Sequence, residues 1–303
     1  MTPDARRDIA VSAPLDLPRT VGGTALWGGN TWIKTAPGEA WFARHTPEGP
    51  ATVHLTQVDP AVVRGEAWGT GAQWLLDQVP GLMGAHDDPS ALVPEHPRLK
   101  RLLQQHPGLR LGRSDLLYEG TMRAAMAAGA GKREGKAAMW RMASAWGEPA
   151  PGPRDDLTLF PEPVRLARRS YAEFHPLGLS RKRAELAMRL ARAGAHLERI
   201  RTLATTEIDA HLQAIPGIGP WTSGVIRLTV LGDPDAVPIG DPNLPNMVAT
   251  TLVGERRATT ERMLELLEPY TGQRGRVVKT AKAVGPKPDR RGPKAERRDI
   301  RRR

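Results

Sequence analysis

The chain has 303 residues, enough to bury a substantial core and to form more than one domain. It has no cysteine, which excludes disulfides, thiolate zinc sites and cysteine-held iron–sulfur clusters. The formal net charge is +11, which favours a polyanionic partner.

That charge is unevenly placed. From Gln273 to Arg303 there are 13 Lys/Arg against 3 Asp/Glu, so this segment carries +10 and the rest of the chain only +1. The body is therefore not strongly basic. Affinity for a polyanion would come from local placement and backbone amides, with the tail adding a nonspecific electrostatic contribution. No apolar run reaches the roughly 18 residues of a membrane span, and MTPDARRDIAVSAPLDL lacks a signal-peptide core. The expectation is a cytoplasmic protein with no membrane partner.

In chain order, residues 1–13 read as a loose arm. From Pro14 to about residue 88 the pattern is a β-rich domain. Thr31–Lys34, Ala40–Ala43, Ala51–Leu55 and Val62–Trp68 have strand character between Pro/Gly-rich turns. A helix follows at Gly71–Met83, carrying Trp74, Leu75, Val79 and Leu82 on or near one face. Five of the eight tryptophans (Trp27, Trp32, Trp41, Trp68, Trp74) lie in this region, where core packing is their expected role. His86-Asp87-Asp88-Pro89 marks a domain boundary. Its acidic pair reads as a helix-start sequence rather than a metal site.

The remainder, 89–285, reads as mostly helical. Helices are predicted at Arg98–His106, Leu116–Ala130, Glu134–Trp146, Pro163–Ser170 and 181–194, with a Pro-rich connector from Pro149 to Pro163. Ser180 is placed to cap the 181–194 helix. His175 precedes a proline in a turn, where a structural or solvated role is expected. Further helices are predicted at Thr259–Leu267 and Val277–Val284. Residues 286–303 are Pro/Gly-broken, highly charged and read as disordered.

The most informative stretch runs from Ile208 to Leu252. Ile208, Leu212 and Ile215 fall at helical spacing before Pro216-Gly217-Ile218-Gly219-Pro220, and Trp221, Val225, Leu228 and Leu231 do so after it. The result is a helix–turn–helix over 208–231, with two glycines in the turn. The second helix opens with unpaired N–H groups, and these suit a phosphate.

A loop then follows, Val237-Pro238-Ile239-Gly240-Asp241-Pro242, whose Asp lies 22 positions after Gly219. Gly-Asp-Pro occurs twice, at 232–234 and 240–242. Asp241 is favoured over Asp233, which reads as a turn residue, and over Asp235.

Hairpin, Gly/Pro-rich loop and spaced aspartate together resemble the helix-hairpin-helix DNA glycosylase superfamily. Within it the chain resembles the AlkA-like 3-methyladenine DNA glycosylases, strongly over 171–278 and loosely in the N-terminal domain. The resemblance implies an α+β fold: a small antiparallel β/α domain, then a helical core whose cleft holds the site.

It also implies roles. Asp241 would be the catalytic carboxylate, and Trp221 and Tyr270 aromatic walls of the base pocket. Gly217, Gly219 and Thr222 would form a DNA phosphate site, the glycines presenting amides and Thr222 also helping to cap the second helix. The carbonyls of Gln213, Ile215 and Ile218 would hold a monovalent cation, Na+ or K+; catalysis itself needs no metal or cofactor. The partner would be double-stranded damaged DNA, the protein a nucleoid-associated monomer, and the activity base-excision repair of alkylated purines such as 3-methyladenine and 7-methylguanine.

Two alternatives stand beside this. The same fold could act on deaminated or bulkier purine lesions, or the chain could be a noncatalytic DNA-binding protein. Relatives that also cleave the backbone place a lysine just after the hairpin, where this chain has Trp221; the expectation is a monofunctional enzyme. Two departures from close relatives are visible. Ala124–Lys132 lacks a bulky residue to wedge into the gap left by a flipped base. Pro242 and Asn243 replace an aromatic and a larger polar residue after Asp241.

Overall fold

The computed structural model describes residues 1–24 and 33–287. Trp27, Trp32 and the tail beyond 287 therefore lie outside the described residues.

The N-terminal unit is a five-stranded antiparallel sheet in the order β1-β5-β4-β3-β2, made from β1 (Ala5–Ala10), β2 (Ile33–Ala36), β3 (Glu39–Thr46), β4 (Gly49–Asp59) and β5 (Val62–Trp68). Period-two burial explains the register. Phe42 on β3 faces Val53 on β4, and Ile9 on β1 faces Val63 on β5. All four are buried. Two helices flank the sheet: α1 (Leu17–Thr24) and α2 (Ala72–Leu82), with Leu75, Leu76, Val79 and Leu82 of α2 fully buried. Trp41 stacks on Trp68 with ring centroids 5.5 Å apart, in line with the packing role expected for these tryptophans.

The N-terminal arm departs from expectation. Residues 5–10 form the edge strand β1, paired along its whole length with β5. Only Ile9 of this strand is buried, so its apolar pattern is weak. Backbone pairing and a two-pronged Arg64–Asp8 ion pair (2.8 and 3.0 Å) hold it instead. Neither is visible as local hydrophobic periodicity.

The rest is helical: α3 (Pro97–Gln105), α4 (Leu117–Ala127), α5 (Gly131–Trp146), α6 (Pro163–Ala167), α7 (Tyr171–Phe174), α8 (Arg181–Arg192), α9 (Gly194–Ile200), α10 (Thr205–Gln213), α11 (Pro220–Thr229), α12 (Leu244–Leu252), α13 (Thr260–Leu267) and α14 (Arg274–Ala283). The Pro-rich connector folds into a two-stranded ribbon, β6 (Glu148–Pro149) with β7 (Thr158–Leu159). Among the described residues no helix is long and apolar enough to cross a membrane.

The apolar core divides in two. One cluster joins the sheet, α2, α4, α5 and α8–α11. The other joins α3, α12, α13 and α14. The chain passes from the first to the second through residues 232–243, and the candidate site lies on that crossing.

Candidate active site

α10 and α11 form the expected hairpin. Its turn, Pro216 to Pro220, is at the surface, with Gly217 exposed and Ile218 buried beneath it. Gly217 sits at φ +101, a backbone conformation that L side chains rarely adopt, with Leu186 of α8 underneath. Arg189 of α8 donates to the Pro216 carbonyl at 2.6 Å. Ser223 of α11 donates to Asp209 of α10 and locks the two helices together.

The turn is therefore held from below, and its outer face offers the Gly217–Gly219 backbone and the N-terminus of α11. Thr222 is 3% exposed and points into the protein, so its hydroxyl is not on that face. The carbonyls of Gln213 and Ile215 stand at the C-terminal end of α10, where carbonyls lack intrahelical donors. Ile215 already accepts the Ile218 N–H at 3.0 Å. These are chemically suitable ligands for a hard monovalent cation.

The loop after α11 is placed by a glycine that sequence reasoning passed over. A Cβ at Gly224, inside α11, would lie 2.6 Å from the Val237 carbonyl oxygen and 2.9 Å from Pro238 Cα. Loop and helix thus meet backbone to backbone. The available signal was a glycine inside an apolar helix, which costs stability unless something packs against it.

This contact sets Asp241 beside Trp221. The Asp241 residue is 9% exposed, and its two carboxylate oxygens have separate tasks. Oδ1 accepts the N–H groups of Asn243 (2.9 Å) and Leu244 (3.2 Å) at the start of α12. Oδ2 accepts the Trp221 indole N–H at 3.4 Å and lies 3.7 Å from Lys282 Nζ of α14. One oxygen fixes the side chain in place, and the other faces an indole and an ammonium. One carboxylate thus holds the start of α12 and also turns an oxygen toward the indole and the ammonium. Lys282 carried no sequence signal of its own, because it lies 41 residues beyond Asp241 in the basic C-terminal segment.

Asp233 and Asp235 are engaged elsewhere. Asp233 pairs with Arg227 at 2.6 Å and accepts the Asp235 N–H at 2.9 Å. Asp235 accepts from the backbone of Gly272 (2.8 Å) and Arg274 (3.1 Å) and from the Arg274 guanidinium. Burial opposes its charge. The Arg274 and Gly272 hydrogen bonds outweigh that and hold its carboxyl below the ordinary value. Both aspartates anchor the crossing rather than face the cleft.

Trp221 packs against the first core cluster, whereas Tyr270 belongs to the second. It is 2% exposed, and its hydroxyl accepts the His96 N–H at 3.1 Å and lies 2.5 Å from His96 Nδ1. Its ring belongs to the core between α13 and α3, so a pocket role for it rests on resemblance alone.

The remaining candidates are structural. Asp87 pairs with Arg276, and His175 packs in a turn against Tyr171. Among the described residues no group of His, Cys, Asp and Glu is arranged to hold a metal ion. The Ala/Gly segment also matches its sequence. Ala124–Ala127 are buried in α4, and only Gly129 of the following turn is fully exposed.

No family model matches the chain. In sequence it is 31% identical over 190 residues to a probable bifunctional transcriptional activator/DNA repair enzyme AlkA of Mycobacterium tuberculosis, covering 59% of this chain and 37% of that protein. The match thus spans little more than a third of that relative's length. In structure it is similar to a 3-methyladenine DNA glycosylase from Archaeoglobus fulgidus, with a TM-score of 0.76, 17% identity and coverage of 91% and 97% of the two chains. It is also similar to an 8-oxoguanine glycosylase/lyase of Clostridium acetobutylicum solved with double-stranded DNA, with a TM-score of 0.68, 14% identity and coverage of 93% and 97%. The overall fold is thus that of these glycosylase structures, and the chain is similar to AlkA-like 3-methyladenine DNA glycosylases in sequence and architecture.

Proposed function

We propose that the chain is a DNA glycosylase that hydrolyses the N-glycosidic bond of alkylated purines, of the 3-methyladenine and 7-methylguanine type, in base-excision repair. The observation that supports this most is the divided Asp241 carboxylate: Oδ1 is fixed by two backbone amides and Oδ2 is turned toward the Trp221 indole. A purine alkylated at N3 or N7 is cationic and leaves readily. The enzyme must extract it from the stack, at about a few kcal/mol. It must then stabilise positive charge on the sugar as the bond breaks. A fixed, largely buried carboxylate does this electrostatically and positions water. An indole face beside it favours a cationic base.

The hairpin amides hold the backbone of double-stranded DNA, and a monovalent cation on the Gln213, Ile215 and Ile218 carbonyls would stiffen the turn. With Trp221 directly after the hairpin turn, base release is hydrolytic, without a hairpin amine. The protein acts as a monomer and requires no cofactor for catalysis.

A second reading, release of uncharged deaminated purines, is favoured by one observation: the Lys282 ammonium 3.7 Å from Asp241 opposes a second cation in the cleft. Mass spectrometry of bases released from methylated and from deaminated genomic DNA separates the two readings. Wild type releasing 3-methyladenine or 7-methylguanine, and Asp241→Asn releasing neither, is the expected result. Release of hypoxanthine or xanthine alone would select the second reading. No release from either DNA, with binding intact, would leave a DNA-binding protein.

A further inference from the structure

A cavity of about 390 Å³ lies where the β-rich unit meets the helical core. Its walls come from the end of β3, Trp74 of α2, the start of α4, residues 160–163 at the entry to α6, and the end of α9. It shares no residue with the hairpin turn, Trp221 or the Asp241 loop. Its volume suits a small molecule.

The charges around it are unevenly matched. Glu119 and Glu198 both line the cavity. Glu119 pairs with Arg123 on its own helix. Glu198 is mostly buried, and one of its oxygens accepts the Tyr118 N–H at 3.0 Å, at the start of α4. Among the described residues no cation stands in contact with Glu198; Arg201 and Arg44 act on it only at a distance. Arg44 is itself 5% exposed, and its Nε and Nη1 meet no partner. Arg201 is engaged by the Trp74 ring, 5.8 Å from its centroid, and Arg199 is exposed to water. Burial raises the Glu198 carboxyl above its ordinary range, and the Tyr118 N–H and the two arginines offset that only in part. The cavity wall therefore carries a desolvated carboxylate that lacks a counter-charge, an arrangement that a bound cation relieves.

The other walls are aromatic. Tyr118 and Phe160 face the same space, tilted at 48° with centroids 6.2 Å apart. The Tyr118 hydroxyl donates to the Pro161 carbonyl at 3.4 Å, which fixes its ring. Aromatic faces attract cations, and a planar fork of N–H donors matches a carboxylate.

We propose that this cavity binds a small organic cation, an amidinium or guanidinium on a flat apolar body, with Glu198 as its counter-charge. The site stands apart from the candidate active site and does not rest on the reading of Asp241. Because its walls belong to both units, an occupant ties the sheet to the helical core.

The probe is benzamidinium, with neutral benzamide as its isosteric control, each titrated calorimetrically into the full chain. Benzamidinium should bind saturably at one site, about tenfold or more tighter than benzamide. It should also raise Tm. Glu198→Gln should cut benzamidinium affinity by about tenfold or more and leave benzamide within about twofold. Asp241→Asn, which neutralises the other carboxylate beside an aromatic ring, should change neither. Glu198 also holds the start of α4, so a measurement on wild type stands beside that variant. Photolysed 4-azidobenzamidine, mapped by peptide mass spectrometry, should label residues within 160–163 or 198–201. No saturable binding, equal affinity for the two probes, or labelling confined to other sites overturns the proposal. So does benzamidinium affinity that survives in folded Glu198→Gln, or that is lost in Asp241→Asn. None of these measurements uses DNA, so failure of the glycosylase reading leaves their outcome unchanged.

Discussion

Arg276 on α14 and Asp87, which lies between the β-rich unit and the helical core, form an ion pair across 189 residues, with side chains only 5% and 3% exposed. Asp87 also accepts the Leu111 N–H at 2.9 Å. Removing one partner of a buried pair leaves the other charge stranded. Asp87→Ala should therefore cost about 3–5 kcal/mol, and Tm should fall by about 10 °C. Thermal melting of the purified variant is the check; a change within the noise would mean that Arg276 finds another partner.

Asp241 and Asp235 should fail in opposite ways. Asp241→Asn should lose base release, because an amide cannot supply the negative charge that the sugar requires. Asp235→Asn should keep the cleft chemistry but weaken the latch to Arg274, lowering stability by about 1–3 kcal/mol. Base release and urea midpoints, measured on both variants, should give opposite patterns.

Gly219 and Gly217 separate binding from folding. A Cβ at Gly219 would meet nothing within 4 Å and the backbone there is extended, so Gly219→Ala should change stability by less than about 0.5 kcal/mol. If DNA phosphate approaches that face, the methyl occupies its path and affinity should drop by roughly tenfold, about 1.4 kcal/mol. Gly217→Ala should instead cost about 1–3 kcal/mol of stability through its positive φ. Undiminished DNA affinity in Gly219→Ala, by fluorescence anisotropy at fixed salt, would move the contact elsewhere.

Lys279 predicts a pH effect. Its folded value is about 8 against an ordinary 10.5, so the native state binds this proton less tightly than the unfolded chain does. The native state is penalised below pH 8, and the penalty disappears as pH rises through 8 toward 10.5. Lys279→Met should therefore be more stable than wild type at pH 7, with the difference closing by pH 10. Urea midpoints at the two pH values measure it, and a gap of constant size would exclude the titration as its cause.

Tyr270→Phe tests whether that ring is structural. Loss of the hydroxyl strands the His96 N–H, at a cost of about 1–2 kcal/mol. A reduced Tm with normal base release would place Tyr270 in the core alone.

Much of this was legible in the sequence, and the reason differs by element. The hairpin could be read because two helical periods flank a Pro-Gly-Ile-Gly-Pro turn, all of it local. The loop that carries Asp241 could be read because it is bounded by Pro238, Gly240 and Pro242. β1 could not, since its order comes from a partner strand more than fifty residues away. Lys282 could not, since nothing in a run of basic residues distinguishes the one that a fold returns to a carboxylate. The fates of Asp233 and Asp235 likewise depended on arginines, of which Arg274 stands 39 positions from its partner.

The contact at Gly224 has a mechanical consequence. α11 begins at the tip that would grip the DNA strand and, five residues on, touches the loop that carries Asp241. At 1.5 Å per residue that is a rod of roughly 7–8 Å. The helix would therefore work as a ruler: a strand held at one end would present its nucleotide at a fixed offset to the carboxylate at the other. One residue inserted between Gly219 and Gly224 would turn the far end by about 100° as well as lengthen it. Reach and aim are thus set by one short rigid element, and neither could drift without the other.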